Sequence, residues 1–429
     1  MPVQSSSARP DPYAALRFAE FRALLVAGVG SSLASRMLAV AIGYQVYALT
    51  RSPLALGWLG LVEAVPALGL ALLGGHYADR LDRRSILLIT RAVFTLCAAL
   101  LAVVSYKAGP QTLVLLYALV FVAGIARGFG DPAASAFETR IVPAAAFLNA
   151  SSWLGSVGQA SSIIGPTLGG LLLASWSATG TYTLVAVLAL VSWVGLWRIS
   201  PKPQPAPPKH ESMRQSILSG LTFVRRDPVI LGSMALDLFA VLFGGVMALL
   251  PIFASDMLKV GPRGLGLMLA APAAGALLVM LWATRFPPVH NSGRTLLLGV
   301  AGFGVSIIVF ALSQTFWLSL VALFFTGVFD GVNMVIRKAI LRLRTPDHMR
   351  GRVAAVSLLF IGSSNELGAL ESGVTASAFG TVRSVWLGGL VTLAVVGLVA
   401  LRVPKLRTLH LDSPETVADQ EPEKRVPAD

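Results

Sequence analysis

The fold of this chain is decided at Gly75-His76-Tyr77-Ala78-Asp79-Arg80-Leu81-Asp82-Arg83-Arg84, a short charged break between two long apolar stretches. The ionised side chains of this segment, which we call the hinge, cannot remain in lipid. Because so few residues separate the two apolar stretches, these must lie side by side and antiparallel, as two crossings of one bilayer. The hinge therefore marks a membrane surface.

The composition agrees with a membrane protein. The chain has 429 residues, of which 55% are hydrophobic and 13% charged, whereas a soluble domain carries about 25% charged residues. The net charge of +13 does not indicate a nucleic-acid-binding protein, because the basic residues lie in short clusters between apolar stretches and form no basic soluble face. The single cysteine, Cys97, lies in an apolar stretch and says nothing about the compartment.

The sequence predicts an all-α membrane protein with twelve transmembrane helices. A crossing helix needs about 20 apolar residues, and strands would alternate apolar and polar residues, which these stretches do not. We place the spans at 22–49, 53–77, 85–107, 111–137, 145–174, 179–199, 229–256, 263–284, 294–313, 316–340, 351–377 and 383–402.

The basic residues predict the orientation. With the N-terminus inside, most of the 34 Lys and Arg residues fall in cytoplasmic segments, Arg337 being counted among them, so both termini are expected in the cytoplasm. The predicted divisions are a cytoplasmic N-terminal segment (1–21), a six-helix bundle (22–199), a cytoplasmic linker (200–228), a second six-helix bundle (229–402) and a disordered cytoplasmic tail (403–429). The linker is proline-rich at first, and 213–226 is predicted to be an amphipathic helix on the membrane surface.

The two bundles carry traces of an internal repeat. Pro143, Gly165 and Gly170 recur at the same intervals as Pro346, Gly368 and Gly373, and Pro53…Leu56-Gly57 recurs as Pro262…Leu265-Gly266. Parallel repeats related by an axis along the membrane normal are a transporter architecture, with the binding site between the halves.

The hinge resembles the loop signature G-x-x-x-D-R-x-G-R-R/K of the major facilitator superfamily. Its positions are taken by Gly75, Asp79, Arg80, Arg83 and Arg84, while Asp82 stands where the superfamily usually has glycine. The resemblance implies two pseudo-symmetric six-helix bundles and leaves open how the turn at Asp82 is formed.

A second motif lies in the fifth span, where Gly165-Pro166-Thr167-Leu168-Gly169-Gly170 resembles the G-P-x-x-G-G core found in antiporters and exporters of the superfamily. Glycine lets helices approach closely and proline bends a span. We therefore expect Gly165, Pro166, Gly169 and Gly170 to be a helix-packing motif; ordinary packing of small residues is the alternative. These motifs and the segment 345–353 resemble the sequences of the subgroup that contains enterobactin exporters and drug–proton antiporters.

The fourth span departs from that subgroup. Exporters often carry an arginine four residues before a G-x-G, here Gly128-Phe129-Gly130, and the corresponding position is Gly124. Arg127 lies one turn nearer the cytoplasm, so the exporters' proton-relay role is not transferred to it.

Ionisable side chains inside spans are costly and are candidates for function. The candidates for substrate binding or proton coupling, all on spans that the resemblance places around a central cavity, are Arg36, Glu63, Asp237, Asp330, Asn333, Glu366 and Glu371. Asp237 and Glu366 are the leading proton carriers, because desolvation favours a protonated carboxyl and a nearby arginine favours the ionised one. Structural pairing, such as Arg36 with an acid on a facing helix, is the alternative for each.

The resemblance also suggests an inner gate at the hinge. Asp79 would face the start of the eleventh span, where the helix dipole favours an anion. Arg83 would meet Asp131 or Glu138 at the end of the fourth span. Both contacts would hold an outward-facing state closed from inside.

These patterns predict a secondary active transporter of the bacterial inner membrane: a proton-coupled exporter of a small organic molecule, siderophore or drug-like, that works by alternating access. Import of a small metabolite, or a transport-inactive sensor or scaffold, are the alternatives. No enzyme motif, phosphate loop or metal-ligand spacing is present in the sequence, so no enzyme activity, cofactor or metal is expected. The expected partners are the substrate, protons and the lipid bilayer, without nucleic acid, and the chain is expected to be a monomer.

Overall fold

The computed structural model of the protein describes residues 11–202, 213–286, 290–346 and 349–411. These residues form helices and no strand, as expected for an all-α membrane fold. Short helical turns occupy Ala15–Arg17 and the region between Val246 and Met257. The helices are α1 (Ala19–Thr50), α2 (Pro53–Arg80), α3 (Arg83–Lys107), α4 (Thr112–Glu138), α5 (Ala144–Trp197), α6 (Met213–Arg226), α7 (Pro228–Phe243), α8 (Gly261–Arg285), α9 (Ser292–Leu312), α10 (Phe316–Arg344), α11 (Arg350–Phe379), α12 (Thr381–Arg402) and the single turn α13 (Pro404–Arg407).

Eleven of the described helical stretches are long and apolar enough to cross a membrane. One of them, α5, has 54 residues and is broken at Ser177, whose φ of 72° and ψ of 173° are not helical. Its arms, 144–176 and 178–197, are each long enough for one crossing of about 20 residues. Helix α5 therefore supplies the fifth and sixth spans, and the predicted fold of twelve transmembrane helices is confirmed.

The amphipathic helix predicted for 213–226 is present as α6. Its Val224 is buried, Leu218 is exposed, and a Cβ built at Gly220 would lie 2.8 Å from the carbonyl oxygen of Arg352. Helix α6 thus packs on the beginning of α11. The N-terminal residues 1–10, the proline-rich stretch 203–212 and residues 412–429 of the predicted tail lie outside the described residues. The first part of the tail predicted to be disordered, 403–411, is instead ordered: it contains α13, and its Leu406 is buried. The predicted domain boundaries stay predictions.

The hinge forms its turn with Asp82 as a helix cap. The Asp82 carboxylate accepts hydrogen bonds from the backbone nitrogens of Arg84 (3.3 Å) and Ser85 (3.1 Å) and from the Ser85 hydroxyl (2.7 Å). These bonds satisfy donors that the first turn of α3 would otherwise leave free. Because Asp82 has φ −62°, the turn needs no glycine at the position where the superfamily usually has one.

The helices form two groups, α1–α5 and α7–α12, and each group packs chiefly within itself. The main contacts between the groups are made where α2 crosses α11 and where α5 crosses α8. We call the end of the bundle at which α1 begins and α12 ends the terminal end, and the other the distal end. The two groups are referred to below as the N-half and the C-half.

The crossing of α5 and α8 is a contact between glycine backbones near the distal end. A Cβ built at Gly170 would lie 2.3 Å from the carbonyl oxygen of Pro262 and 2.9 Å from the Cα of Gly266. Both distances are shorter than any real Cβ contact. Only glycine allows these two helices to approach as they do.

The crossing of α2 and α11 repeats this contact with the matching residues. A Cβ built at Gly373 would lie 2.9 Å from the carbonyl oxygen of Pro53 and 2.8 Å from the Cα of Gly57. In the sequence repeat, these three residues correspond in turn to the three of the first crossing. The same contact is therefore made twice, as a two-fold axis along the membrane normal requires.

The remaining motif glycines of α5 face α1. A Cβ at Gly165 would lie 2.5 Å from the Cβ of Arg36, and one at Gly169 would lie 3.1 Å from the Cα of Met37. In the C-half, the repeat partner Gly368 packs in the same way on α7, where a Cβ would lie 2.9 Å from the Leu242 carbonyl oxygen. The motif thus holds α5 against α1 on one face and against α8 on another.

Replacing Gly170 with Ala should force α5 and α8 apart at the distal end, because the new methyl group has no room beside Pro262. Spin labels at Gln111 and Gln314, in a background with Cys97 replaced by Ser, should report a longer distance by pulsed electron resonance. Gly155→Ala is the matched control on the same helix, since a Cβ there meets nothing within 4 Å. An unchanged distance in Gly170→Ala would show that the crossing does not hold the distal end closed.

Candidate functional site

Two cavities meet at Arg36, near the middle of α1. The first, of about 450 Å³, lies among α1–α5. The second, which we call the central cavity, has about 550 Å³ and lies between the N-half and the C-half. The charged side chains that line the first cavity are Arg36, Glu63, Arg91, Arg127 and Asp131, and those that line the central cavity are Arg36, Asp330 and Glu366.

Arg127 is held by two carboxylates in the first cavity. Its Nη1 lies 2.6 Å from Oε1 of Glu63 on α2, and its Nε lies 3.3 Å from Oδ2 of Asp131 one turn along α4. The sequence identified Glu63 as a candidate but did not pair it with Arg127. The signal that could have found the pair is the position of both residues at similar depth in neighbouring spans.

The departure at Gly124 has a steric cause. A Cβ built there would lie 2.5 Å from the carbonyl oxygen of Glu63 and 2.8 Å from Cγ of Pro66, so α4 touches α2 at this point. No arginine can occupy the position without separating the helices. Arg127, three residues further on, projects its charge into the first cavity instead.

Arg36 and Arg91 line the first cavity without a carboxylate partner. Within the described ranges, neither guanidinium makes a hydrogen bond or an ion pair. The Arg36 stem packs against Gly165, which leaves the charged end of the side chain in the cavity. A structural ion pair of Arg36 with an acid on a facing helix, considered from the sequence, is therefore not formed in this part of the chain.

Two of the predicted acids face the central cavity from the C-half. Asp330 projects from α10 and Glu366 from α11. The Oε2 atom of Glu366 lies 3.6 Å from the position of a Cβ at Gly60, so the side chain reaches across the interface to α2. There it is under the charges of Glu63 and Arg127.

Asp237 lies elsewhere, in a buried ion pair. Its carboxylate contacts the guanidinium of Arg337 and accepts a hydrogen bond of 2.8 Å from Nδ2 of Asn333, both on α10. Asp237 is 2% exposed and Arg337 7% exposed, and neither lines the two cavities. Arg337, counted with the cytoplasmic segments from the sequence, is buried, because the end of α10 that carries it is packed against α7.

Glu371 also lies outside both cavities. It is half-buried nearer the distal end of α11, where its backbone carbonyl accepts the Thr375 hydroxyl at 2.9 Å.

The gate residues make their contacts within the N-half. Arg83 donates to the carbonyl oxygens of Ala78 and Ala136, each at 3.0 Å, and lies 3.4 Å from Asp79. Arg83 is expected from the sequence to contact Asp131 or Glu138. In the structure Arg83 contacts α4 through the backbone carbonyl of Ala136 instead. Arg84 donates to the Trp197 carbonyl at 2.7 Å and ties the hinge to the end of α5. Of the other gate residues, Arg80 is exposed, Gly75 is half-buried and Glu138 is the last residue of α4.

A polar contact at the distal end joins the two halves and was not anticipated from the sequence. Asp256, in the irregular turn after α7, pairs with Arg51 at 2.7 Å and accepts a hydrogen bond from the Tyr47 hydroxyl. This contact lies at the same end as both glycine crossings. The central cavity is therefore closed at the distal end.

Among the described residues, no three His, Cys, Asp or Glu side chains are placed together as a group that could hold a metal ion.

Comparison with known proteins matches the whole membrane region. A family model described as "transmembrane secretion effector", of the major facilitator type, matches residues 10–428. The enterobactin exporter EntS of Escherichia coli O1:K1 is 25% identical over 399 residues, covering 93% of this chain and 95% of the relative. The enterobactin exporter EntS of Shigella boydii serotype 18 matches to the same extent.

Solved structures agree on the fold. A POT family transporter in complex with 5-aminolevulinic acid superposes with a TM-score of 0.70 at 14% identity, covering 91% of this chain and 97% of that one. The xylose transporter XylE from E. coli, in an inward-open conformation, gives a TM-score of 0.67 at 14% identity, covering 90% and 96%. With its fold, its repeat and its family match over residues 10–428 in agreement, the chain belongs to the transmembrane secretion effector family of major facilitator superfamily transporters.

Proposed function

We propose that this transporter is a proton-coupled exporter of a small organic molecule in the bacterial inner membrane, acting as a monomer. The terminal end, at which α1 begins and α12 ends, faces the cytoplasm, as the distribution of basic residues favours. Because the distal end is closed, we assign this conformation to the inward-facing half of the transport cycle, in which a molecule would enter from the cytoplasm. The hinge lies at the cytoplasmic end and serves as the inner gate.

Enterobactin is the first substrate to test, because the curated relatives matched over 93% of the chain are enterobactin exporters. Everted membrane vesicles that contain the protein should accumulate enterobactin when their interior is acidic. Accumulation should stop when a protonophore removes the gradient. Uptake by intact cells with no effect on efflux would favour an importer, and absence of any flux across a broad panel of small molecules would favour a sensor or scaffold.

The position of Glu366 is the observation that supports coupling to protons. It is an acid of the C-half that touches α2 of the N-half and lies in the field of Glu63 and Arg127. Alternating access moves the halves relative to one another, so Glu366 must exchange these surroundings for others at every cycle. A carboxyl whose neighbouring charges change in this way binds a proton in one state and releases it in the other.

Replacing Glu366 with Gln should therefore abolish substrate-driven proton release from everted vesicles while enterobactin still binds. Proton release is followed with a pH-sensitive dye, and binding with the purified protein. Asp11→Asn is the matched control, since Asp11 lies at the surface in a pair with Arg17. Undiminished proton release in Glu366→Gln would exclude Glu366 as the coupling group.

Asp237 is better explained as a structural residue than as a proton carrier. Removing one member of a buried ion pair leaves an uncompensated charge, which costs about 3–5 kcal/mol, whereas replacing both members by apolar residues is often neutral. Asp237→Ala and Arg337→Ala should each lower the melting temperature of the purified protein strongly. The double variant Asp237→Leu/Arg337→Met should recover most of the loss.

A different result with Asp237→Asn would contradict the structural role of Asp237. If Asp237→Asn melts like the wild type but no longer releases protons with substrate, then Asp237 is a coupling group, as the sequence suggested.

A further inference from the structure

We propose that the first cavity is an anion-binding subsite, in which Arg36 and Arg91 hold the carboxylate or ionised phenol of an aromatic molecule. The subsite deepens the proposed transport function by naming a substrate class. Binding itself is measurable without transport, so the two ideas fail separately.

The charge of the first cavity supports an anionic occupant. Three arginines and two acids line it, which leaves an excess of one positive charge. Both acids, Glu63 and Asp131, contact Arg127. The two remaining cations, Arg36 and Arg91, are left without a carboxylate within the described ranges.

Two cations without a carboxylate contact are costly in a membrane interior, so their position calls for an explanation. A charged side chain inside a transmembrane bundle is normally paired or placed on a substrate pathway. Arg91 and Glu138 line one small neighbouring void of about 60 Å³, yet they form no ion pair there. The charge of Asp131 acts on Arg91, but its carboxylate is bonded to Arg127. An anion brought by a ligand would supply what the chain does not.

The other groups that line the cavity define the rest of the ligand. Ser32 and Ser35 add hydroxyl groups on the same helix as Arg36, and Phe94, one turn along α3 from Arg91, adds an aromatic side chain to the wall. An arginine binds a carboxylate through two parallel hydrogen bonds. A volume of about 450 Å³ falls within the range of small-molecule pockets. The arrangement suits a flat ring that carries an oxyanion.

The position of Arg36 links this subsite to the central cavity. The same side chain lines both spaces, so an anion bound in the N-half lies next to the cavity where Asp330 and Glu366 project from the C-half. The acids of the C-half repel an anion when they are ionised, and the arginines of the N-half attract it. The ligand is therefore oriented, with its charged group toward the N-half.

The test compares three probes of nearly the same shape and different charge: benzoate, benzamide and benzamidine. The full-length protein in detergent, in chloride-free buffer, is titrated with each, and the melting temperature is recorded. Benzoate should raise it in a saturable manner, and benzamide and benzamidine should not. Arg36→Gln and Arg91→Gln should each weaken the apparent benzoate affinity by about tenfold or more, the loss of one charge-assisted contact. Arg140→Gln, at an exposed arginine outside both cavities, should bind benzoate like the wild type.

Several outcomes would overturn the subsite. Equal stabilisation by benzamide or benzamidine would show that charge does not select the ligand, and equal stabilisation by chloride would reduce the site to one for inorganic anions. Unchanged benzoate binding in both arginine variants would place the anion elsewhere. Because an arginine variant could lose its fold, Arg36→Lys is included, and it should keep part of the affinity. Benzoate binding without any substrate flux would retain the subsite and reject the transport proposal.

Discussion

Two backbone contacts hold the halves of this transporter together, one between Gly170 and Gly266 and one between Gly57 and Gly373. They are the same contact made twice, and they close the central cavity at one end. The first of them also connects to the site. The motif that brings Gly170 against α8 places Gly165 against the stem of Arg36, so one helix both joins the halves and positions the arginine that lines both cavities. The glycines of one motif on α5 therefore set both the packing of the halves and the position of Arg36.

The membrane interior imposes a second constraint, because every ionised group there needs a partner or a watered space. Asp237 and Arg337 satisfy it by pairing in a packed interior. Glu63, Arg127 and Asp131 satisfy it as a paired group on a cavity wall. Arg36, Arg91, Asp330 and Glu366 face cavities instead. A movement of the halves would change the surroundings of the groups that face cavities and would leave the buried pair as it is. We therefore propose that the groups facing cavities bind a ligand or a proton and that the buried pair stabilises the structure.

Much of the fold was predictable from the sequence, because hydropathy alone reports which residues can lie in lipid. The internal repeat already contained the glycines that meet at the two crossings. Side-chain partners were not predictable, since hydropathy says nothing about which face of a helix meets which neighbour. The burial of Arg337 was not predictable, because an arginine near the end of a span resembles a surface residue and its partner Asp237 lies on another helix. The contacts of Arg127 were not predictable either. The exporters' arginine corresponds to position 124, where close contact between α4 and α2 leaves room only for glycine. At Asp82 a local signal was available, since Asp before a helix is a common N-cap, but the glycine of the superfamily signature obscured it.

The contact of Asp256 with Arg51 and Tyr47 differs in kind from the glycine crossings beside it. Its charged side chains are 42% and 65% exposed, and exposed ion pairs contribute at most about 1 kcal/mol and weaken further with salt. Van der Waals contact between backbones is indifferent to salt and acid. The distal closure thus combines backbone packing at the glycine crossings, which salt does not affect, with an ion pair between Asp256 and Arg51, which salt weakens. Higher ionic strength at the distal end should therefore loosen the alignment of the two halves without affecting the glycine crossings, which only a movement of the halves can separate.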